Sequence, residues 1–256
     1  MTLESDNLAL SLALFLGMIA CSELGRRLAR MRAARDPEGA WQGVGVVDGA
    51  MFGLLGLLVA FTFSGASSRF DMRRNLIVQE TNAIGTAYLR LDLLPVESQP
   101  ALRESFRRYL DARIKIYESF PDIPEVRRQL ERARLLEPDI WSLSRSAAAG
   151  SQAATMLLLP AVNAMFDLAN TRSLTTMMHP PGIIYALLFG LALASATLAG
   201  YGMAKSKFRN WFHIVGYAAV TAGAFYVIVD IEHPRLGVIQ IEAMDSVLRD
   251  LRRSMD

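Results

Sequence analysis

The residues best placed to do chemistry in this chain lie close together, and most carry no charge. Ser64, Ser68, Asp71, Asn75, Gln79, Asn82 and Thr86 recur at steps of three and four. That spacing lines up one face of an α-helix. Hydroxyls and amides in a row can stand in for part of an ion's water shell, so the seam has the chemistry of a water-filled path. A bundle helix with a solvated face would show the same spacing, although such a face usually holds more Lys and Glu. Arg69, Arg73 and Arg74 cluster at the edge of the seam. Their field would draw anions; the other reading is that they anchor at a membrane interface and pair with Asp71 and Glu80.

Other chemistry is sparse. Asp48 stands inside an apolar stretch. An acid in a membrane segment is a functional candidate, and one near the interface can also simply reach water. The histidines are His179, His213 and His233, and none has a partner at the three- or four-residue spacing of a helical metal site. The acid–histidine run Asp230–Ile231–Glu232–His233 precedes Pro234 and reads as a helix end followed by a turn. There is no GxxxxGK[ST], GxGxxG or GxSxG. Cys21 has no neighbouring base to activate it. The expectation is therefore no enzyme, no cofactor and no metal.

The elements that must carry these residues are apolar helices. Of the 256 residues, 52% are hydrophobic and only 20% are charged. That excludes disorder, and a net charge of +2 is too small for a nucleic-acid footprint. A single cysteine excludes a disulfide scaffold. Four stretches, at about 8–25, 44–66, 182–203 and 211–229, are long enough to cross a bilayer. The first follows an acidic start, MTLESDN, and precedes a run of arginines, which marks an anchor rather than a cleaved signal peptide. Tyr201, Trp211 and Tyr217 fall where interface aromatics are expected. Gly45, Gly49 and Gly53 form a ladder of small residues for helix packing, as do Ala186–Gly190–Ala194 and Ala192–Ala196–Gly200.

Orientation follows from the short loops. Arg26, Arg27, Arg30, Arg32 and Arg35 follow the first span, and Lys205, Lys207 and Arg209 follow the third. Basic loops stay in the cytoplasm, so both termini and the middle segment are expected outside. The basic clusters also suit lipid headgroups. The middle segment, 67–181, reads as helices at 67–93, 99–119, 124–136 and 138–178, punctuated by prolines. The first continues the second span, and Phe63, Phe70, Ile77, Ile84 and Leu91 give it an apolar seam at every seventh residue. A tail at 231–256 ends in a short amphipathic helix that would lie on the membrane or on the helical domain.

The segment SSRFDMRRNLIVQETNAIGTAYLR within 53–94, and DIEHPRLGVIQI at 230–241, resemble the signatures of the bestrophin-like domain family of bacterial membrane proteins. True bestrophins, a more distant resemblance, are pentameric anion channels. That resemblance implies a homo-oligomer in the bacterial plasma membrane, a pentamer, with small ions and the lipid bilayer as partners and no nucleic acid. It sets Phe61 and Phe63 as a hydrophobic constriction, with Ser64 to Ser68 near a pore neck. The tryptophans typical of animal bestrophins are missing, and bestrophins keep their helical domain in the cytoplasm, opposite to the loop charges here. The fold expected is all-α and polytopic: four spans, with a helical bundle between the second and third. A non-conducting sensor or interaction protein, acting through that bundle, is the alternative function.

Overall fold

In the computed structural model, residues 3–41, 43–176, 178–206, 208–235, 237–239 and 242–256 are described, apart from the side chains of 3–5 and 242–245. Lys207 of the basic loop, and Leu236, Gln240 and Ile241 of the C-terminal signature, lie outside the described residues. Among the described residues the chain is helical, with no strand. The α-helices are α1 (Leu3–Arg35), α2 (Val44–Leu89), α3 (Gln99–Glu118), α4 (Ile123–Ala148), α5 (Gln152–Thr175), α6 (Gly182–Gly202), α7 (Trp211–Glu232) and α8 (Glu242–Arg253). They fall into two compact units. One comprises Met1–Arg69 and His179–His233, the other Phe70–Met178 and Pro234–Asp256.

The first unit holds α1, the start of α2, α6 and α7. Its core is small: Leu14, Met18, Leu55, Leu188, Ala192, Ala196, Ala218 and Phe225. The ladder Ala192–Ala196–Gly200 is buried, and the reason is a backbone approach. A Cβ built on Gly200 would lie 1.8 Å from the Ser22 carbonyl oxygen, and one on Gly25 would lie 1.9 Å from that of Thr197. Only glycine lets α1 and α6 come so near. Gly43, at φ +73°, supplies the left-handed turn that starts α2.

Among the described residues five helical segments are long and apolar enough to cross a membrane: Asp6–Arg35, Gly39–Leu93, Gln152–Thr175, Gly182–Lys205 and Trp211–Glu232. The sequence count of four omits Gln152–Thr175, whose apolar run is broken by Asn163 and bounded by Asp167 and Arg172. At most a third of the most apolar window of any of them is buried within the chain. Large side chains such as Leu16, Val46, Ile183, Phe212 and Val220 are exposed. Helices this apolar on all sides call for apolar surroundings.

The second unit is a helical bundle around Ile84, Leu91, Leu102, Phe106, Tyr109, Ile140, Leu158, Met165 and Leu248. The amphipathic α8 packs here: Arg252 Nε donates to Asp111 Oδ1 at 2.8 Å, and Tyr88 donates to the Met255 carbonyl at 3.0 Å. One expected boundary is displaced. The prolines predict a break at Pro138, yet α4 runs through it and stops at Ala148. A mid-helix proline costs one backbone hydrogen bond and some crowding, and continuing the helix keeps Ala133 and Ile140 buried in the core. The stop lies at Gly150 and Ser151, where the serine hydroxyl accepts from the Ala154 amide at 3.2 Å and caps α5. Pro160 lies inside α5 without ending it.

Candidate ion pathway

The seam read from the sequence lies on α2, which runs unbroken from Val44 to Leu89. Ser64 and Ser68 are exposed in the first unit; Asp71, Asn75, Gln79, Asn82 and Thr86 are exposed in the second. The apolar seam turns inward as it proceeds: Phe70 is half-buried, while Ile77, Ile84 and Leu91 are fully buried. Two periodic faces on one helix thus meet opposite surroundings. Phe61, 66% exposed, lies three residues before Ser64 and shares its face. Phe63 is two residues further on, about 200° around the helix. The two rings therefore project from opposite sides of the helix.

The apolar stretch of α2 is the most weakly covered of the candidate spans, with 6% of its most apolar residues buried. Gly45, Gly49 and Gly53 belong to it. A Cβ added at any of the three meets nothing within 4 Å. Among the described residues this ladder therefore makes no close approach inside the chain, unlike Gly25 and Gly200.

The three clustered arginines are not equivalent. Arg69 Nε donates to Glu232 Oε1 at 2.7 Å, and Glu232 is fully buried at the end of α7. Arg73 is buried and donates to the Met178 carbonyl at 2.9 Å. Arg74 is half exposed, 3.7 Å from Asp71 on the same helix, with its guanidinium 5.8 Å from the Phe70 ring centre. Arg69 and Arg73 are thus engaged within the chain. The acid–histidine run accounts for one of them. His179 stacks on His233 with ring centres 4.9 Å apart, and His179 Nδ1 stands 3.9 Å from Glu232 Oε2. Among the described residues no group of three or more His, Cys, Asp or Glu forms a metal-binding set.

The pairing of Glu80 departs from the sequence reading, which matched it with the neighbouring arginines. Its carboxylate is fully buried between two guanidinium groups from other helices. Arg113 Nε donates to Oε1 and Arg172 Nη1 to Oε2, each at 2.6 Å. Burial pushes the carboxyl up, but the charges and hydrogen bonds of Arg113 and Arg172 outweigh it and hold the group below its ordinary value of 4.5. The Tyr117 ring faces both cations, at 3.5 Å from Arg172 and 5.5 Å from Arg113, with Arg235 at 4.6 Å. Burial pushes the Tyr117 hydroxyl above its usual range, so it stays protonated; Arg113 Nη2 donates to its oxygen at 2.8 Å. Residues 33 and 92 positions away complete this centre, so local spacing held no signal for it.

Asp48 lines a cavity of about 330 Å³ in the first unit, together with Ser22, Phe52, His213 and Tyr217. Its Oδ1 is buried with no hydrogen-bond partner among the described residues. A Cβ on Gly202 would lie 3.0 Å from its Oδ2, so glycine there leaves the carboxylate its room.

The chain matches a family model described as the bestrophin-like domain over residues 12–244. No curated protein matches it. Crystal structures of a bacterial bestrophin homologue from Klebsiella pneumoniae share the fold. Its isoleucine-to-threonine mutant is 11% identical at a TM-score of 0.71, covering 95% of this chain and 99% of that one. A tryptophan-to-alanine mutant gives 14% and 0.70, with 95% and 96% covered. A tyrosine-to-alanine mutant gives 12% and 0.65, with 94% and 96% covered. With the model matching across nearly the whole length, the chain belongs to the bestrophin-like family.

Proposed function

We propose that several copies of this chain assemble around α2 into a membrane pore for small ions. The observation that carries the reading is the contrast on α2. Its apolar stretch is left 6% buried by its own chain, and a row of exposed polar residues, hydroxyls and amides apart from Asp71, follows it. An uncovered apolar helix needs cover, and identical copies related by rotation supply it. The Gly45–Gly49–Gly53 ladder, empty within the chain, then becomes a surface on which neighbouring subunits close up. Kinship with the bestrophins, which are channels, supports the reading; a count of five subunits rests on that resemblance alone.

Four of the five apolar segments cross the bilayer in this reading: α1, the first half of α2, α6 and α7. The fifth, α5, stays in the helical domain, because Arg172 near its end is tied to the buried Glu80. The loop arginines set both termini and the helical domain outside. With Cys21 removed, a membrane-impermeant thiol reagent added outside labels a cysteine at Ser98 and spares one at Ser206; the reverse result places the domain in the cytoplasm.

The anion preference expected from three arginines loses two of them to Glu232 and to the Met178 carbonyl. The charges left on the seam are Asp71 and Arg74, which oppose each other. We infer a pore of weak charge selectivity. Purified protein in liposomes is expected to pass small ions as an oligomer, and Phe61→Ala to raise the flux several-fold by removing the hydrophobic constriction. A monomer that passes no ions in any buffer, with partners recovered by cross-linking, would establish the sensor reading instead.

A further inference from the structure

A second cavity in the first unit, about 360 Å³, is lined by Arg26 and Lys205 together with Ser206, Asn210 and His213. Nothing in the pore reading uses it. Arg26 is 4% exposed. Its Nη2 donates to the Ser206 carbonyl at 3.2 Å, while its Nε is buried with no partner among the described residues. Leaving part of a buried guanidinium unsatisfied is costly unless something else supplies an acceptor. The same cavity is walled by the start of α7. Its first turn begins at Trp211, and the side chain of the preceding Asn210 makes no cap hydrogen bond. The opening amides of a helix have no carbonyl to bond within it, and the helix dipole adds positive potential there.

A buried guanidinium, a lysine and the start of a helix bordering one space have the chemistry to donate to phosphate oxygens. Glu23 also lines the cavity, but its carboxylate is taken up by Arg209 at 3.0 Å and Arg27 at 3.5 Å. Lys205 is held with its ammonium 5.2 Å from the Trp41 ring centre. Around the cavity, Phe208 and Phe212 are each 84% exposed, and Trp211 is 47% exposed. Bare aromatics beside a cationic hollow suit the junction between acyl chains and headgroups.

We propose that this cavity binds a phosphate group, with Arg26, Lys205 and the first turn of α7 as its donors, and that an anionic phospholipid headgroup supplies it. The alternative source of the same chemistry is free inorganic phosphate. The test uses the full chain in detergent micelles, titrated separately with phosphatidylglycerol and with inorganic phosphate. Thermal midpoint and intact-complex mass report binding. Phosphatidylglycerol is expected to add one lipid per chain and raise the midpoint, and inorganic phosphate at higher concentration to displace it. Lys205→Gln is expected to weaken the lipid about five-fold, and Arg26→Met more. Lys205 is exposed, so its variant keeps the test available if Arg26→Met does not fold. Binding of inorganic phosphate without the lipid would uphold the phosphate site and assign its source to solution. No binding of either, or equal binding by wild type and Lys205→Gln, would overturn the proposal. Ion flux does not enter the readout, so the result is independent of the pore.

Discussion

Replacing Glu80 by leucine is expected to cost the protein about 3–5 kcal/mol, and its Tm in detergent to fall by roughly 10 °C or more. The carboxylate is the acid bonded to Arg113 and Arg172, both nearly or fully buried. Removing it leaves two desolvated cations without the carboxylate that both of them bond. Breaking a buried pair from one side costs far more than the pair's net worth, because a charge without compensation stays behind. A triple variant with Glu80, Arg113 and Arg172 all replaced by methionine or leucine of similar volume should recover most of the loss. If Glu80→Leu matches wild type, this centre does not hold the bundle together. The same group sets a pH dependence. Its carboxyl is held below 4.5 when folded, so its contribution is complete above that value and is lost as the pH falls through the lower folded pKa. Wild type should weaken in that acid range, and Glu80→Leu should lose that part of the acid dependence.

The second large effect is expected at the α1–α6 contact. Gly200→Val puts a side chain where even a Cβ would sit 1.8 Å from the Ser22 carbonyl oxygen. Neither wall is a flexible side chain, so the two helices must separate. Overpacking of ordinary cores costs about 1–3 kcal/mol, and a backbone clash of this kind exceeds that range. The variant should fail to accumulate in membranes, or should elute as aggregate, and Gly25→Val should do the same. Gly49→Ala, with open space around its Cβ in the chain, should leave the monomer intact and alter only the yield of oligomer. Normal accumulation of Gly200→Val would show that α1 and α6 do not meet here.

How far the sequence reaches can be seen in these same residues. The apolar helices were legible because 20 successive apolar side chains leave few alternatives to a membrane-like environment. Gly200 was legible as the end of an Ala–Ala–Gly ladder. Its counterpart Gly25 was not, because a lone glycine signals close approach only once the facing helix is known. Pro138 was read by a local rule that tertiary packing overrode, since ending α4 there would have lifted Ile140 out of the core. The polar seam was legible from its period of three and four, whereas the fate of its arginines was not. Arg69 finds Glu232 across 163 residues, and short-range charge pairing had offered Asp71 and Glu80 instead. Local patterns therefore described each helix face, while the partners of buried charges depended on which helices the fold brings together.

In the proposed pore the exposed seam of α2 borders the path of the ions. With Cys21 removed, Ser68→Cys is reconstituted in liposomes and treated with a positively charged, water-soluble thiol reagent while ion flux is recorded. Modification at Ser68 is expected to cut the flux, whereas modification of a control cysteine at Ser98, in the helical domain, leaves it unchanged. Full labelling of Ser68→Cys with the flux undiminished would contradict it.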